Sequence, residues 1–427
     1  MKEKLKLTPL ERSWILYDVG NSAFILMVST LIPIFFNALA ESAGLHEDLY
    51  LSYWGYAGSI ATVLVAIIGP VCGAIADRNN KKLIFLISLL VGVAACALLG
   101  AMNGWIAFLA MFILAKVGYS ASIVFYDSML PEVTSEKRMD TISSLGYAYG
   151  YIGSVIPFIV CLVLVLMYDS FGLTQSSAMA IAFLIISLWW TGCSLPLLKQ
   201  YRQTAFQAPT KAPVRDAFRQ LYGTLKAARK ERHIFLYLLS FFFFIDGVYT
   251  IIDMATAYGT ALGLDTTGLL LALLWTQFVA FPCSILFGRL SASRDTGLLI
   301  KVCIAAYTGI TVFGIFLVSQ WQFWVLATLV GMFQGGIQAL SRSYLGKIIP
   351  AERSGEFYGL MDIFGKGASF VGMLLVSLVS QFTAGITVDV FGIRLQNENL
   401  AVGSLIILFI IGYILFCKAD KLNQQRS

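Results

Sequence analysis

Runs of about twenty apolar residues recur from one end of this chain to the other, and no other feature constrains its fold as strongly. A helix needs about 20 such residues to cross the roughly 30 Å hydrocarbon layer of a bilayer, where every backbone N–H and C=O must bond within its own segment. Divided at charged and Gly, Pro or Asn positions, the sequence yields twelve such runs: 14–39, 50–75, 82–102, 104–129, 140–168, 176–198, 233–262, 266–289, 297–319, 321–347, 354–385 and 400–417. The predicted fold is an all-α membrane protein of twelve transmembrane helices. Composition agrees, because 58% of the 427 residues are hydrophobic and 13% are charged, against about 45–50% and about 25% in soluble domains. A soluble enzyme, a nucleic-acid binder and a disordered chain are excluded. The connections leave no room for a separate catalytic domain.

Cysteine and histidine usage narrows the chemistry further. The seven cysteines (72, 96, 161, 193, 283, 303 and 417) lie in or beside apolar runs with no CxxC pair, and read as small buried hydrophobes. His46 and His233 have no partner at ligand spacing. We therefore expect no metal, no cofactor and no enzymatic activity. Lys2, Lys4 and Lys6 precede Glu11, Arg12 and then a full-length span, which is not the pattern of a cleavable signal.

Basic residues set the direction. Of 30 Lys and Arg, 27 fall on the side that carries the amino terminus, Arg394 alone falls opposite, and Lys116 and Lys366 stand inside spans. By the positive-inside rule both termini are expected in the cytoplasm. The longest connection, 199–232, separates six spans from six and carries nine basic residues. Phe218, Leu221, Tyr222 and Leu225 recur there at helical spacing, so it is either an amphipathic helix on the anionic inner leaflet or a solvated basic linker. The expected domains are a six-helix bundle at 1–198, the linker at 199–232 and a second bundle at 233–427. A shift of 219 positions superposes Pro131 on Pro350, Gly146 on Gly365 and Gly153 on Gly372, the kind of internal repeat from which transporters are built.

Ionisable groups inside a span cost from about 2.5 kcal/mol upwards, so each needs a partner, water or a function. The sequence places Asp18, Lys116, Asp127, Asp246, Asp253, Asp362 and Lys366 there. Asp246 lies near mid-depth of the seventh span, with Asp253 seven residues further on the same predicted face. They read as a proton or cation relay, or as partners of Lys116 or Lys366 in a buried bridge. Lys116 either receives a substrate carboxylate or neutralises an acid, and Asp362 and Lys366, four apart, neutralise each other. Asn21, Tyr147, Tyr151, Gln277, Gln334 and Gln338 add polar groups that either line a binding site or join helices. The pairs Gly69/Gly73 and Gly146/Gly150 read as close helix contacts.

Gly73-Ala-Ile-Ala-Asp77-Arg78-Asn-Asn-Lys81-Lys82, between the second and third spans, resembles the loop signature of the major facilitator superfamily. The resemblance implies a tight turn at the glycine, an aspartate bridging to a neighbouring helix, and basic residues holding a cytoplasmic gate. The counterpart Gly288-Arg289-Leu-Ser-Ala-Ser-Arg294-Asp295 has Ala292 at the aspartate position. Six further blocks, at Tyr17–Phe24, Tyr126–Glu132, Ser143–Gly153, Asp246–Val248, Ser341–Ser343 and Gly365–Ser369, resemble the family of the autophagy-linked vacuolar amino-acid effluxer and its bacterial relatives. Membership implies export of small solutes, with neutral amino acids the class named for fungal members, and for a compact bacterial chain the plasma membrane. Asp18, Asn21, Asp127, Asp246, Arg342 and Lys366 occupy its motif positions.

Together these readings predict a monomeric, proton-coupled secondary transporter that moves a small polar or amphipathic metabolite through the lipid bilayer by alternating access, in the efflux direction. Asp246 is the first candidate proton carrier, with Asp18 and Asp253 in reserve. Asn21, Lys116, Tyr147, Tyr151, Gln277, Gln334 and Lys366 are candidate substrate contacts, and Asp77, Arg78, Asp127 and Arg342 candidate gate residues. A lipid flippase or scramblase, an uncoupled facilitator and a receptor-like protein on a transporter fold are the alternatives.

Overall fold

A computed structural model describes residues 6–45, 50–78, 80–208, 231–383, 386–390, 393–395 and 397–425. Its first span is two helices, α1 (Pro9–Ser29) and α2 (Leu31–Ser42). The sequence reads as continuous across 14–39, but Pro33 lacks the N–H that would bond back across residue 30, and Thr30 leaves helical geometry at φ −132°, ψ −78°. The start of α1 is fixed by a capping box. Glu11 N donates to Thr8 Oγ1, Thr8 N donates to Glu11 Oε2, and Pro9 takes the first helical position.

The following helices are α3 (Tyr50–Ala76), α4 (Lys81–Leu98), α5 (Trp105–Ser128), the single turn α6 (Leu130–Val133), α7 (Glu136–Leu166) and α8 (Gln175–Gln200). After the long connection come α9 (Arg232–Ala261), α10 (Thr266–Leu290), α11 (Thr296–Ile315), α12 (Gln320–Ile348) and α13 (Ser354–Phe382). A short antiparallel hairpin, β1 (Val388–Val390) and β2 (Ile393–Leu395), then leads into α14 (Asn397–Gly403) and α15 (Leu405–Gln424). Asp265 and Asp295 cap α10 and α11 by accepting from Gly268 N at 2.6 Å and Leu298 N at 2.9 Å. Among the described residues eleven helical stretches are long and apolar enough to cross a membrane, α1 and α2 counting as one. The 29-residue α13 supplies the twelfth, with Val371–Phe382 its apolar part. The protein is an all-α membrane protein of twelve spanning helices. The amphipathic stretch predicted near Phe218 falls at 209–230, outside the described residues.

The described chain divides into two compact units. One takes Met1–Ser135, Tyr149–Leu221 and Pro350–Gly359, and the other takes Glu136–Ala148, Tyr222–Ile349 and Leu360–Ser427. Each unit thus includes a short segment from the far part of the sequence. Small residues draw the helices together. In the first unit a Cβ on Gly118 of α5 would fall into the backbone of Gly92 on α4, and a Cβ on Gly153 of α7 would strike the Val19 side chain on α1. In the second, a Cβ on Gly372 of α13 would strike Asp246 and Thr250 on α9. The matched glycines 153 and 372 therefore serve the same close approach in the two repeats. Gly73 and Gly150 are close contacts as predicted, whereas Gly69 faces open space.

Candidate functional site

The signature loop closes on the start of α13, within the first unit. Asp77, fully buried, accepts from Gly355 N at 2.8 Å and Glu356 N at 2.9 Å. These are amides of the first turn of α13, where unsatisfied donors and the helix dipole favour a carboxylate. Gly73 and Gly355 permit the approach, since a Cβ on either would meet the other's backbone. Lys81, also fully buried, stands 3.8 Å from Asp77 Oδ1 and 2.6 Å from Glu132 Oε1, and donates to Ser354 Oγ at 2.9 Å. Glu132 also accepts from the Tyr201 hydroxyl and from Thr204 N. Burial pushes the Asp77 carboxyl up to about 7, against the pull of Lys81 and the two amides, while Glu356 adds repulsion. Arg78 is half-buried beside this cluster in sequence.

A comparable cluster stands in the second unit, although its loop lacks the aspartate at Ala292. The acid comes from the start of α7. Asp140 accepts from Ser343 Oγ at 2.6 Å through Oδ1, and from Lys347 Nζ and Thr296 Oγ1 at 2.6 Å each through Oδ2. Arg342, 3% exposed, donates from Nε to Ser143 Oγ and from its terminal nitrogen to Ser143 O, both at 2.9 Å. Its guanidinium lies 4.3 Å from the centre of the Tyr147 ring. Thr141 Oγ1 donates to Gly288 O, which ties the signature glycine of the second repeat to the same helix. Lys81 stands in the signature loop and Glu132 ends a family block, but neither motif names its partner, and Asp140 and Lys347 were not singled out at all. For those two the only sequence signal was opposite charge at the ends of spans, which does not specify partners.

The acids within spans have different surroundings. Asp18 on α1 accepts from Tyr126 OH at 2.8 Å and from Asn21 Nδ2 at 3.3 Å, one donor on each oxygen. Around it Trp14 stacks on Tyr126 at 4.3 Å, and Trp14 Nε1 donates to Tyr126 O. Asp18 thus joins α1 to α5, and Asn21 supports it from within α1. Asp246 on α9 is fully buried. Its Oδ1 accepts from Gly372 N at 2.9 Å and Thr250 Oγ1 at 3.3 Å, while Oδ2 has no hydrogen-bond partner among the described residues. Asp253 is exposed, unlike Asp246, so the two do not share one environment.

Among the other candidates, Lys116 in the first unit is half-buried with Nζ 5.8 Å from the Phe112 ring centre, and Tyr151 is buried. In the second unit Gln277 is half-buried, and Gln334 is 7% exposed with Oε1 buried and without a hydrogen-bond partner among the described residues. Asp127, Gln338 and Asp362 are half-buried. The Lys366 side chain lies outside the described residues, and with it the predicted pair to Asp362.

The family model described as vacuole effluxer Atg22 like matches residues 10–425. The MFS-type transporter YxiO of Bacillus subtilis (strain 168) is 39% identical over 417 residues, covering 96% of this chain and 94% of that protein. Autophagy-related protein 22-2 of Aspergillus clavatus is 28% identical over 278 residues, or 58% of this chain and 44% of the fungal one. Among solved structures, the major facilitator superfamily transporter FucP in the outward conformation superposes with a TM-score of 0.69 at 14% identity, covering 96% of this chain and 97% of that one.

Proposed function

The chain belongs to the vacuole effluxer Atg22-like family of major facilitator transporters, and from that premise we propose that it is a proton-coupled exporter of a small polar or amphipathic metabolite of the neutral amino-acid kind. We place it in a bacterial plasma membrane with both termini cytoplasmic, working by alternating access. The observation that carries this reading is the Asp246 carboxylate, fully buried within a span, with two donors on one oxygen and, among the described residues, none on the other.

Ionised, such a group costs about 2.5 kcal/mol or more in a bilayer. A proton on Oδ2 removes that cost and displaces no existing donor, while Oδ1 keeps Gly372 N and Thr250 Oγ1. Because Gly372 belongs to α13 and Asp246 to α9, gaining or losing the proton changes which arrangement of these helices is favoured. Export is then driven by protons that enter through Asp246. Asp18, with a donor on each oxygen, and Asp253, which is exposed, remain in reserve. The substrate contacts are Asn21, Lys116, Tyr147, Tyr151, Gln277, Gln334 and Lys366. Gln334 Oε1, without a hydrogen-bond partner among the described residues, suits a substrate ammonium. Asp77, Arg78, Asp127 and Arg342 form the cytoplasmic gate.

Purified protein in proteoliposomes tests the reading with labelled neutral amino acids and an imposed pH gradient. Asp246→Asn is expected to abolish gradient-driven accumulation and to retain exchange of labelled for unlabelled substrate. Accumulation that survives unchanged in the variant refutes the assignment, and absence of any amino-acid flux in the parent protein refutes the substrate class.

A further inference from the structure

Within the second unit, α9, α11, α12, α13, α14 and α15 line an open-sided cavity of about 460 Å³, inside the range of roughly 300–1,000 Å³ of small-molecule sites. Much of its wall is aliphatic, including Ile251, Met254, Ile310, Val376 and Val402. Thr250 lines one part and Tyr258 another, two turns along α9 or about 12 Å, and Glu398 also lines it.

Most of the polar groups near Glu398 are committed. The Tyr258 hydroxyl donates to Gly314 O at 2.7 Å and accepts from Asn399 Nδ2 at 2.8 Å. Asn399, 1% exposed, also donates to Ile315 O and Leu317 O, so the start of α14 is pinned to the end of α11. Thr250 Oγ1 is likewise used, on Asp246. Glu398 is different. Its Oε2 is buried and has no hydrogen-bond partner among the described residues. A buried carboxylate oxygen without a donor is costly, and a cation is the partner that relieves it most. Among the described residues that line it none is basic, so an anion finds no counter-charge among them, and neither does the carboxylate of a zwitterion.

We propose that this cavity is a binding site for an amphipathic monocation, an alkyl- or aryl-ammonium. Its ammonium donates to the Glu398 carboxylate and its apolar body lies along the aliphatic wall towards Thr250. The site is separate from the transported-substrate contacts proposed above, and its occupation is measurable whether or not any flux occurs.

The test uses the full-length protein in phosphatidylglycerol nanodiscs. The probes are 4-phenylbutylammonium, the neutral 4-phenylbutanol and the anionic 4-phenylbutyrate, read by calorimetric binding and by the melting temperature. The ammonium is expected to bind and to raise the melting temperature, the alcohol to bind more weakly, and the anion not to bind. Glu398→Gln is expected to weaken the ammonium by about tenfold or more and to leave the alcohol unchanged. Met254→Trp, which fills the cavity, removes binding of both. If Glu398→Gln does not fold, the three-probe comparison and Met254→Trp still decide. Equal binding of the three probes, or ammonium binding that persists in Met254→Trp, overturns the proposal, as does ammonium binding unchanged in folded Glu398→Gln. Adding phosphatidylethanolamine distinguishes the two natural sources of this chemistry. A site that takes an aminolipid shows a falling probe affinity as that lipid increases, and a site for a free amine does not.

Discussion

Lowering the pH from 7 to 5 is expected to stabilise the protein through Asp77. Burial raises this carboxyl from the ordinary 3.8 to about 7 in the folded chain. Between those values the folded protein holds one proton that the unfolded chain has lost. Stability therefore falls by about 1.4 kcal/mol per pH unit as pH rises through that window, and becomes flat above it. The contribution is complete below 3.8 and is lost as pH rises through 7, so the change from pH 7 to pH 5 is a gain of roughly 2 kcal/mol. For a chain of 427 residues that corresponds to about 2 °C in the melting temperature. The groups facing Asp77 are Lys81, the amides of Gly355 and Glu356, and the Glu356 carboxylate. Other groups titrate in the same window, so the measured quantity is the difference between the parent protein and Asp77→Asn. The asparagine has no proton to exchange and still offers a carbonyl to one amide. The assay is intrinsic tryptophan fluorescence on heating, at half-unit steps from pH 5 to pH 8. Parallel pH profiles for the two proteins refute the reasoning, and so does a parent protein that gains stability relative to the variant as pH rises.

Two further perturbations test the packing and the second charged cluster. Gly118→Val forces α5 away from Gly92 on α4, where even a Cβ has no space, and is expected to cost about 1–3 kcal/mol or more. A melting temperature within one degree of the parent contradicts that contact. Lys347→Met leaves Asp140, with 4% of its side chain exposed, without its cation. It is expected to cost about 3–5 kcal/mol, and adding Asp140→Leu should restore much of the loss. A double-mutant cycle with no coupling between the two positions rules out the ion pair.

The spans were legible because hydropathy and charge both mark them. The predicted third span, 82–102, falls within one residue at each end of the helical stretch Lys81–Ala101, which is α4 with the 3-10 turn Leu99–Ala101 that follows it, because apolar length and terminal charge are local properties. The break at Thr30 was missed because its cause is a missing N–H at Pro33, which hydropathy does not register. That Asp77 bridges to another helix was legible because its block is a signature, whereas Asp140 has no signature and meets Lys347, Ser343 and Thr296 only in the folded chain. The difference between Asp18 and Asp246 was likewise illegible, since it depends on which oxygen finds Tyr126 or Gly372 N in three dimensions. Glu398 escaped notice because it precedes the last apolar run, in a stretch read as a connection.

The segment Glu136–Ala148 has a consequence for how the chain is made. Asp140 is separated from Lys347 by 207 residues and Ser143 from Arg342 by 199. At about 5–20 residues per second, the ribosome takes roughly 10–40 s to deliver the cation that Asp140 needs. Throughout that interval the nascent protein carries, at the head of α7, an acid and a serine whose partners have not been synthesised. Lys81 and Asp77 wait longer, for Ser354 and Gly355. Neither half of the gene encodes everything its own compact unit requires, so a chain divided at the 199–232 connection gives two products that mature only in each other's presence.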